Sequence, residues 1–301
     1  MVGPTASGKS ELALGAAHAL ADVEVVSLDS MQVYRRLDIG TAKPTLAERA
    51  AVPHHVIDVV ESYEDWSAVR HQSAARAAVA DIAGRGKRAL LVGGTGLYVQ
   101  AVVDDLRFPE EDPDLRAELE AWTANPGGVA AAYDELTRRD PDAAAKIDPH
   151  NARRIARALE VIRLTGHPFS SFGPGVDHFG PTAFPVRMAG VWLPRDVLNA
   201  RIGARFAAMR DAGLVDEVRQ LLDGPPLSRT AAQAIGYKEV IAALSDGDTS
   251  LDDAIETAVR RTRSFARRQR MWFRRDPRIM WLGAPDNPCD VLPALLATWT
   301  S

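Results

Sequence analysis

Two short aliphatic runs indicate a chain that builds a parallel sheet. Residues 23–28 read VEVVSL and residues 88–92 read RALLV, and each run is followed by turn-forming residues. Between them, residues 67–83 space Val69 and Ile82 among small apolar residues at helical intervals. A strand, a helix and a second strand in that order predict a βαβ unit with buried, parallel strands.

The strand pattern disappears over residues 107–183, which predicts an inserted helical domain. Its segments are helical in pattern and are interrupted by proline and glycine. A strand-like segment at 186–193 returns the chain to the sheet, and further helices are predicted at 196–212, 214–223, 230–245 and 251–273. The predicted fold class is α/β, a parallel sheet flanked by helices with an all-helical insert.

The composition is that of a globular protein. The chain has 301 residues, of which 46% are hydrophobic, enough for one large or two modest domains. Its single cysteine, Cys289, excludes an internal disulfide. There is neither a basic-then-apolar leader nor a run of about 20 apolar residues. We therefore expect a cytoplasmic protein with no membrane partner.

The first ten residues contain a phosphate-binding pattern. Residues 3–10, GPTASGKS, match G-x-x-x-x-G-K-[ST], in which backbone N–H groups surround an anion. Lys9 supplies a mobile cation and Ser10 a hydroxyl suited to Mg²⁺. The alternative is a surface Gly-Lys turn, but residues 11–20 have the pattern of the helix that follows such a loop. Because only two residues precede Gly3, either the chain starts upstream or the first strand is a stub.

Asp29 is the candidate for acid–base or metal chemistry. It follows the strand at 23–28, and Thr95 follows the strand at 88–92, so both should face the crevice that holds the phosphate loop. Phosphate-loop ATPases usually carry an acidic residue at the end of a second strand, but RALLV ends in Gly93. Asp29 can serve a metal, act as a general base or cap the turn after it, and the sequence leaves all three roles open.

One segment is strongly basic although the net charge of −4 argues against nonspecific coating of nucleic acid. Residues 260–278 hold nine arginines against one aspartate, with Phe265, Trp272 and Phe273 interleaved. Cations with aromatic residues between them are typical of a helix that follows a nucleic-acid backbone. The alternative is a solvated helix face whose aromatic residues pack inward.

A second arginine cluster lies on a predicted helix of the insert. Arg153, Arg154 and Arg157 occupy positions i, i+1 and i+4 of that helix. With Leu159 and Ile162 facing the core, we expect these arginines to be free to contact an anion.

Two smaller sets of polar residues have simple alternatives. Arg201 and Arg205, four positions apart, can both point into the crevice, or can pair on the surface with Asp196 or Asp211. The histidines at 54–55 have no spaced Cys/His set beside them, so ordinary turn or core histidines explain them better than a metal site.

Seven segments together carry a resemblance to one enzyme family. In order and spacing, from Gly3 to about Leu282, the chain resembles the tRNA dimethylallyltransferases at GPTASGKS (3–10), DSMQVYRRLDIGTAKP (29–44), PHHVID (53–58), LVGGTGLYVQA (91–101), NARRIARALEVIRLTG (151–166), QAIGYKEV (233–240) and RRQRMWFRRD (267–276). These enzymes transfer the dimethylallyl group of dimethylallyl diphosphate to the exocyclic amine of the adenosine 3′ to the anticodon, in tRNAs that read codons beginning with U. The resemblance implies a P-loop kinase-like core, residues 1–106 and 184–301, and a helical domain at 107–183 that contacts tRNA.

The resemblance also implies a role for individual residues. The diphosphate would bind to Gly3, Pro4, Thr5, Ala6, Ser7, Gly8, Lys9 and Ser10, with Mg²⁺ beside Ser10. Asp29 would be the general base, and Lys9 and Arg205 would stabilise the leaving diphosphate. The positions that match tRNA contacts are Asp29, Ser30, Met31, Gln32, Thr95, Arg116, Arg153, Arg154, Ile155, Ala156, Arg157, Gln233, Ala234, Ile235, Gly236, Tyr237, Lys238, Arg267, Arg268, Arg270 and Arg274. One departure is Arg36, which stands where the family commonly has glycine.

The implied partners are the anticodon stem-loop of tRNA and dimethylallyl diphosphate, with the protein acting as a monomer. ATP hydrolysis is not expected, because the loop would hold the leaving diphosphate. The alternatives are a P-loop small-molecule kinase, a prenyltransferase acting on free adenine nucleotides, and an RNA-binding protein without enzymatic activity. The arginine clusters argue against the second alternative, and Lys9, Ser10 and Asp29 argue against the third.

Overall fold

The chain folds into two compact units. The residues described by the computed structural model are 1–104, 106–173 and 175–300. The first unit comprises Met1–Asp104 and Pro181–Ser301, and the second is Asp105–Gly180. The sequence pattern placed the helical insert at 107–183. Among the helices of the described residues, we find none that is long and apolar enough to cross a membrane.

The first unit is built on parallel strands, as the sequence predicted. Strands β1 (Val23–Ser27), β2 (His54–His55) and β3 (Arg88–Val92) form a parallel sheet in the order β2-β1-β3. Strands β4 (Met188–Trp192) and β5 (Ile279–Gly283) form a second parallel pair. Every residue of β1 is buried, which is the environment that its β-branched composition favours.

Val2 connects the two sheets. It makes parallel bridges to Gly93, directly after β3, and to Gly190 in β4. Its N–H donates to the carbonyl of Ala189 at 2.8 Å, and its carbonyl accepts from the N–H of Val191 at 2.9 Å. Val2 thus lies between β3 and β4, and the residues that follow it reach the carboxyl ends of these strands.

Helices flank these strands and make up the second unit. In chain order they are α1 (Lys9–Ala19), α2 (Leu46–Ala51), α3 (Ala68–Gly84), α4 (Gly96–Val103), α5 (Pro113–Ala124), α6 (Gly128–Arg139), α7 (Pro141–Ala144), α8 (Ala152–Thr165), α9 (Arg195–Asp211), α10 (Leu214–Leu222), α11 (Tyr237–Asp246), α12 (Leu251–Phe273) and α13 (Leu292–Thr300). Helix α12 buries one stripe that includes Ala258, Thr262, Ala266, Gln269 and Phe273. Because these residues recur every three or four positions, the arginines between them remain on the outer face.

The second unit is a small helical bundle centred on α8. Asn151 caps the helix by accepting from the N–H of Arg154 at 3.1 Å, and Gly166 ends it with a left-handed φ of 72°. Between these caps, Ile155 and Leu159 are fully buried in a core that also includes residues of α5, α6 and α7.

Candidate active site

Residues 3–10 run from Val2 into the first turn of α1, the usual place of a phosphate-binding loop. Gly8 has a φ of 83° before the first turn of α1, a conformation that glycine adopts without steric cost. A Cβ at Gly8 would lie 2.2 Å from Cγ of Pro288, so this position also lacks room for a side chain. The N–H groups and the dipole at the start of a helix favour an anion at this point.

Two cations lie beside the loop. Nζ of Lys9 donates to the carbonyl of Pro4 at 2.6 Å, and Nη1 of Arg205 lies 3.4 Å from Oγ1 of Thr5. Burial, and after it the positive charge of Arg205, lowers the pKa of Lys9 to about 7, although the carboxylate of Asp29 opposes this shift. Burial also lowers the pKa of Arg205. Desolvated cations favour a counter-ion, so the loop is suited to a strongly anionic ligand.

Arg201, on α9, stabilises the phosphate loop and the start of α1. Its Nε donates to the carbonyl of Ala6 at 2.9 Å, and its Nη2 pairs with Glu11 at 2.8 Å. The alternative that Arg201 pairs with Asp196 or Asp211 is therefore wrong.

Asp29 follows β1 and uses one carboxylate oxygen in its own turn. Oδ1 accepts from the N–H of Met31 at 2.8 Å and, with a longer contact of 3.4 Å, from the N–H of Gln32. Among the residues that the structure describes, none donates a hydrogen bond to Oδ2. Asp29 thus caps the turn and still offers a second oxygen that can accept a proton from a ligand.

Asp29 faces a pocket of about 400 Å³. The residues selected from the sequence that line it are Thr5, Asp29, Ser30, Met31, Thr95, Arg205, Gln233, Ala234, Ile235 and Arg268. Oγ of Ser30 and Oγ1 of Thr95 are 3.4 Å apart, so the carboxyl ends of β1 and β3 meet in this pocket. One cavity therefore brings together the phosphate loop, a carboxylate and the basic helix α12.

The sequence analysis did not assign the other lining residues to this site. They are Gly40, Thr41, Ala42, Phe206, Met209, Thr262 and Phe265. Helical spacing could have found some of them, because Met209 lies four positions after Arg205, and Thr262, Phe265 and Arg268 are three apart on α12. Residues 40–42 lie in the segment 29–44 that carries the family resemblance, but nothing in that segment indicates that tertiary contacts bring them to the pocket.

Gln32 and Tyr237 support the pocket wall rather than line it. Nε2 of Gln32 donates to the carbonyls of residues 41–42, each at 3.2 Å. Tyr237 is fully buried, and its hydroxyl donates to Glu217 and accepts from the N–H of Gly40 at 3.1 Å. The Tyr237 side chain therefore has no exposed surface and supports the wall from behind.

Helix α12 presents only part of its basic segment to solvent. Arg267, Arg268 and Arg274 are exposed, whereas Nη2 of Arg270 donates to the carbonyl of Leu193 at 2.7 Å. Phe273 is buried, as the alternative of an inward-packed aromatic face required. A second groove of about 400 Å³ shares Gln233, Ile235 and Arg268 with the pocket and adds Lys238, Glu239, Arg260, Arg261 and Ser264.

In the second unit, two of the arginines that the resemblance places at the tRNA pair with a buried carboxylate. Glu160 is fully buried and pairs with Nε of Arg116 and, at 3.0 Å, with Nη1 of Arg157. The expectation that Arg157 is free for an anion is therefore wrong, because releasing it would leave a buried charge without one of its partners. Ile155 and Ala156 are also fully buried, which excludes tRNA contacts through their side chains.

Comparison with known proteins gives a single answer. The sequence profile of the family described as IPP transferase matches residues 32–276. The chain belongs to the IPP transferase family. It is 51% identical to the tRNA dimethylallyltransferase of Kineococcus radiotolerans, over 98% of this chain and 94% of that protein. It is 50% identical to the tRNA dimethylallyltransferase of Salinispora tropica, over 94% of this chain and 86% of that protein.

Solved structures of this family share the fold. The full-length tRNA isopentenylpyrophosphate transferase of Bacillus halodurans superimposes with a TM-score of 0.71 at 41% identity, covering 99% of this chain and 94% of that one. A eukaryotic dimethylallyltransferase acting on tRNA gives a TM-score of 0.76 at 29% identity, covering 95% of this chain and 73% of that one. The resemblance stated from the sequence is confirmed.

Arg36 adopts the conformation that a glycine would favour. Its φ is 69°, in the left-handed region that costs a residue with a side chain about 1–2 kcal/mol. Its Nη2 donates to the carbonyl of Gln220 at 2.8 Å, which offsets part of that cost. The turn at residue 36 thus suits both the glycine that the resemblance implies and the arginine of this chain.

Proposed function

We propose that this IPP transferase family member transfers the dimethylallyl group of dimethylallyl diphosphate to the exocyclic amine of the adenosine 3′ to the anticodon, in tRNAs that read codons beginning with U. The observation that carries the proposal is Asp29, which lines the same pocket as Thr5 of the phosphate loop and Arg205, and whose Oδ1 alone serves the turn after β1. Sequence identity of about half to tRNA dimethylallyltransferases over nearly the whole chain supports it.

The donor side of the reaction needs stabilisation of a leaving diphosphate. As the C–O bond of the donor breaks, negative charge accumulates on the diphosphate, where the loop N–H groups, Lys9 and Arg205 can stabilise it. Each such contact is worth about 2.7–4 kcal/mol when it forms in the transition state. The apolar side chains of Phe206, Met209 and Phe265 in the same pocket suit the hydrocarbon part of the donor.

The acceptor side needs a base. The lone pair of an adenine amine is delocalised into the ring, so the amine is a weak nucleophile until a carboxylate accepts its proton. In this proposal Oδ2 of Asp29 takes that proton as the C–N bond forms. The adenosine must leave its stack to reach the pocket, which costs a few kcal/mol and least in a single-stranded loop.

The residues fit a magnesium ion held mainly by the substrate. Among the described residues, none form a cluster of three or more His, Cys, Asp or Glu that could hold a metal by itself. Mg²⁺ commonly binds through one or two protein ligands plus phosphate oxygens and water, and the Ser10 hydroxyl in the first turn of α1 can be such a ligand. When bound, the ion would neutralise charge on the diphosphate.

We propose that exposed cations on each unit contact tRNA. They are Arg153 and Arg154 in the second unit, and Lys238, Arg267, Arg268 and Arg274 in the first. Such residues neutralise phosphates and release the counter-ions bound to the RNA. We further propose that the first unit is the catalytic P-loop core, that the helical unit contacts tRNA, and that the protein acts as a cytoplasmic monomer.

One incubation distinguishes the proposed reaction from its alternatives. The protein is mixed with dimethylallyl diphosphate, Mg²⁺ and either unmodified tRNA or AMP, and the products are analysed by mass. We expect prenylated adenosine in tRNA only. A product from AMP would indicate the free-nucleotide enzyme, and ATP turnover stimulated by a hydroxylated metabolite would indicate a kinase.

Asp29 is tested in the same assay. Asp29→Asn keeps a side-chain oxygen that can accept from the N–H groups of the turn, but it cannot take a proton. Single-turnover transfer should therefore fall about 10²–10⁴-fold while tRNA affinity is unchanged. The matched control is Asp22→Asn, which alters a carboxylate at the other end of β1 that pairs with Arg88. Near-normal transfer by Asp29→Asn would show that Asp29 only caps its turn.

A further inference from the structure

We propose that Gln269 is a positioning residue for prenyl transfer, whose side-chain amide fixes the spacing between the phosphate loop and the Thr95 turn, residues 93–96. This inference rests on the proposed function, because it takes the loop as the donor site and the turn as part of the acceptor site.

Gln269 uses both ends of its amide to join two distant backbone segments. It is buried on the inner stripe of α12, with 6% of its surface exposed. Oε1 accepts from the N–H of Thr5 at 2.8 Å, and Nε2 donates to the carbonyl of Gly94 at 2.7 Å. Because the amide is planar, its oxygen and nitrogen hold these two backbone groups at a nearly constant separation.

The Gln269 amide is packed closely against the Thr95 turn. A Cβ on Gly94 would lie 2.6 Å from Nε2 of Gln269 and 3.1 Å from the carbonyl oxygen of Gly3. One turn further along the same interface, a Cβ on Gly96 would lie 2.3 Å from Cδ1 of Trp272. Helix α12 therefore contacts the backbone of the Thr95 turn directly, and the loop is tied to the turn through the helix.

The two segments that Gln269 joins stand on the two sides of the reaction. Thr5 lines the pocket at the loop, where its hydroxyl is near Arg205, and Thr95 lines it beside Ser30. An error of about 1 Å in the relative position of reacting groups can cost about 100-fold in rate. Arg267 and Arg274 are exposed and lie off the buried stripe that holds Gln269, so loss of the amide should alter alignment and leave the affinity for an anticodon stem-loop unchanged.

The test replaces the amide by a side chain of similar length without hydrogen bonds. In Gln269→Met, kcat at saturating tRNA and dimethylallyl diphosphate should fall about 100-fold. The affinity for magnesium pyrophosphate should weaken about tenfold, because the loop loses the bond that fixes the Thr5 N–H. The affinity for an anticodon stem-loop should not change.

Gln72→Met is the matched control. Nε2 of Gln72, on α3, donates to the carbonyl of Ala101 at 2.6 Å, and the residue does not line the pocket. This variant loses the same kind of bond, so it should lower thermal stability while kcat and pyrophosphate affinity stay as in the wild type.

Gly94→Ala disturbs the same hydrogen bond of Gln269 at the residue that accepts it. The added methyl group displaces the Gln269 amide, so kcat and pyrophosphate affinity should fall as in Gln269→Met. If Gln269→Met does not fold, Gly94→Ala alone tests the role of Gln269. Unchanged kcat and pyrophosphate affinity in both variants would overturn the role of Gln269, whereas a wild type without prenyl transfer would overturn the proposed function. Pyrophosphate binding requires no turnover, so it reports on Gln269 in either case.

Discussion

The lowered pKa of Lys9 predicts that binding of a diphosphate takes up a proton near neutral pH. In the free protein, burial and the charge of Arg205 bring the pKa of Lys9 to about 7. A bound diphosphate places negative charge beside the ammonium, which favours its charged form and raises the pKa towards or above the ordinary value of 10.5. Binding therefore draws a proton from solution at any pH between the two pKa values.

The size of the effect follows from the free-state pKa. At pH 8 about one tenth of the free Lys9 side chains are protonated, so binding should take up about 0.9 proton at this site. At pH 6 about nine tenths are already protonated, and the uptake should be about 0.1. The contribution of Lys9 to affinity is complete below pH 7 and weakens by up to about tenfold for each pH unit above it.

Calorimetry measures this uptake directly. Magnesium pyrophosphate is titrated into the protein at pH 6 and pH 8, in two buffers with different enthalpies of ionisation, and the difference in heat gives the number of protons. Because the diphosphate itself titrates in this range, the informative quantity is the wild type minus Lys9→Met. A difference near zero at pH 8 would refute the reasoning, since it would mean that Lys9 is already charged in the free protein.

Three further predictions concern charge and backbone conformation. Replacing Arg153 and Arg154 by alanine should flatten the slope of log tRNA affinity against log salt by up to about 0.9 per lost duplex contact, or 0.7 on single strands. The control Arg138→Ala, on α6, should leave this slope unchanged. If the double variant has the wild-type slope, Arg153 and Arg154 belong to a solvated helix face that does not contact tRNA. In urea unfolding, Arg36→Gly should be more stable than Arg36→Ala by about 1 kcal/mol, because only alanine keeps the cost of a left-handed φ; a more stable alanine variant would contradict this. Glu160→Gln should lower the free energy of unfolding by about 3 kcal/mol at pH 7. Since its arginine partners lower the pKa of Glu160 against the opposing effect of burial, this difference should shrink as the pH falls through that pKa, and a pH-independent difference would argue against the ion pairs.

The sequence predicted the features that depend on residues close together in the chain. The phosphate loop could be predicted because the left-handed φ at Gly8 and the cation of Lys9 are needed at neighbouring positions of the chain. Strands β1 and β3 are readable because buried parallel strands are continuous aliphatic runs, and Asp29 is marked by its position after one of them. The pairing of Val2 with both neighbouring strands was not predicted, since two residues carry no pattern of their own.

Tertiary structure alone decided which polar side chains remain free. Arg157 resembles Arg153 and Arg154 in sequence, but it is committed to Glu160, a carboxylate that it shares with Arg116 from another helix. Strand β5 was missed because it is short and its burial follows no regular alternation, with Ile279 buried and Met280 and Gly283 exposed.

Gln269 is the clearest example of a contact that only the tertiary structure determines, since its partner Thr5 lies 264 residues away in the sequence. Helical periodicity predicts that position 269 faces inward, but no local rule says that a buried amide there will satisfy a loop N–H and a turn carbonyl at once. Hydrogen bonds of buried polar groups must be satisfied somewhere, and only the folded chain determines where.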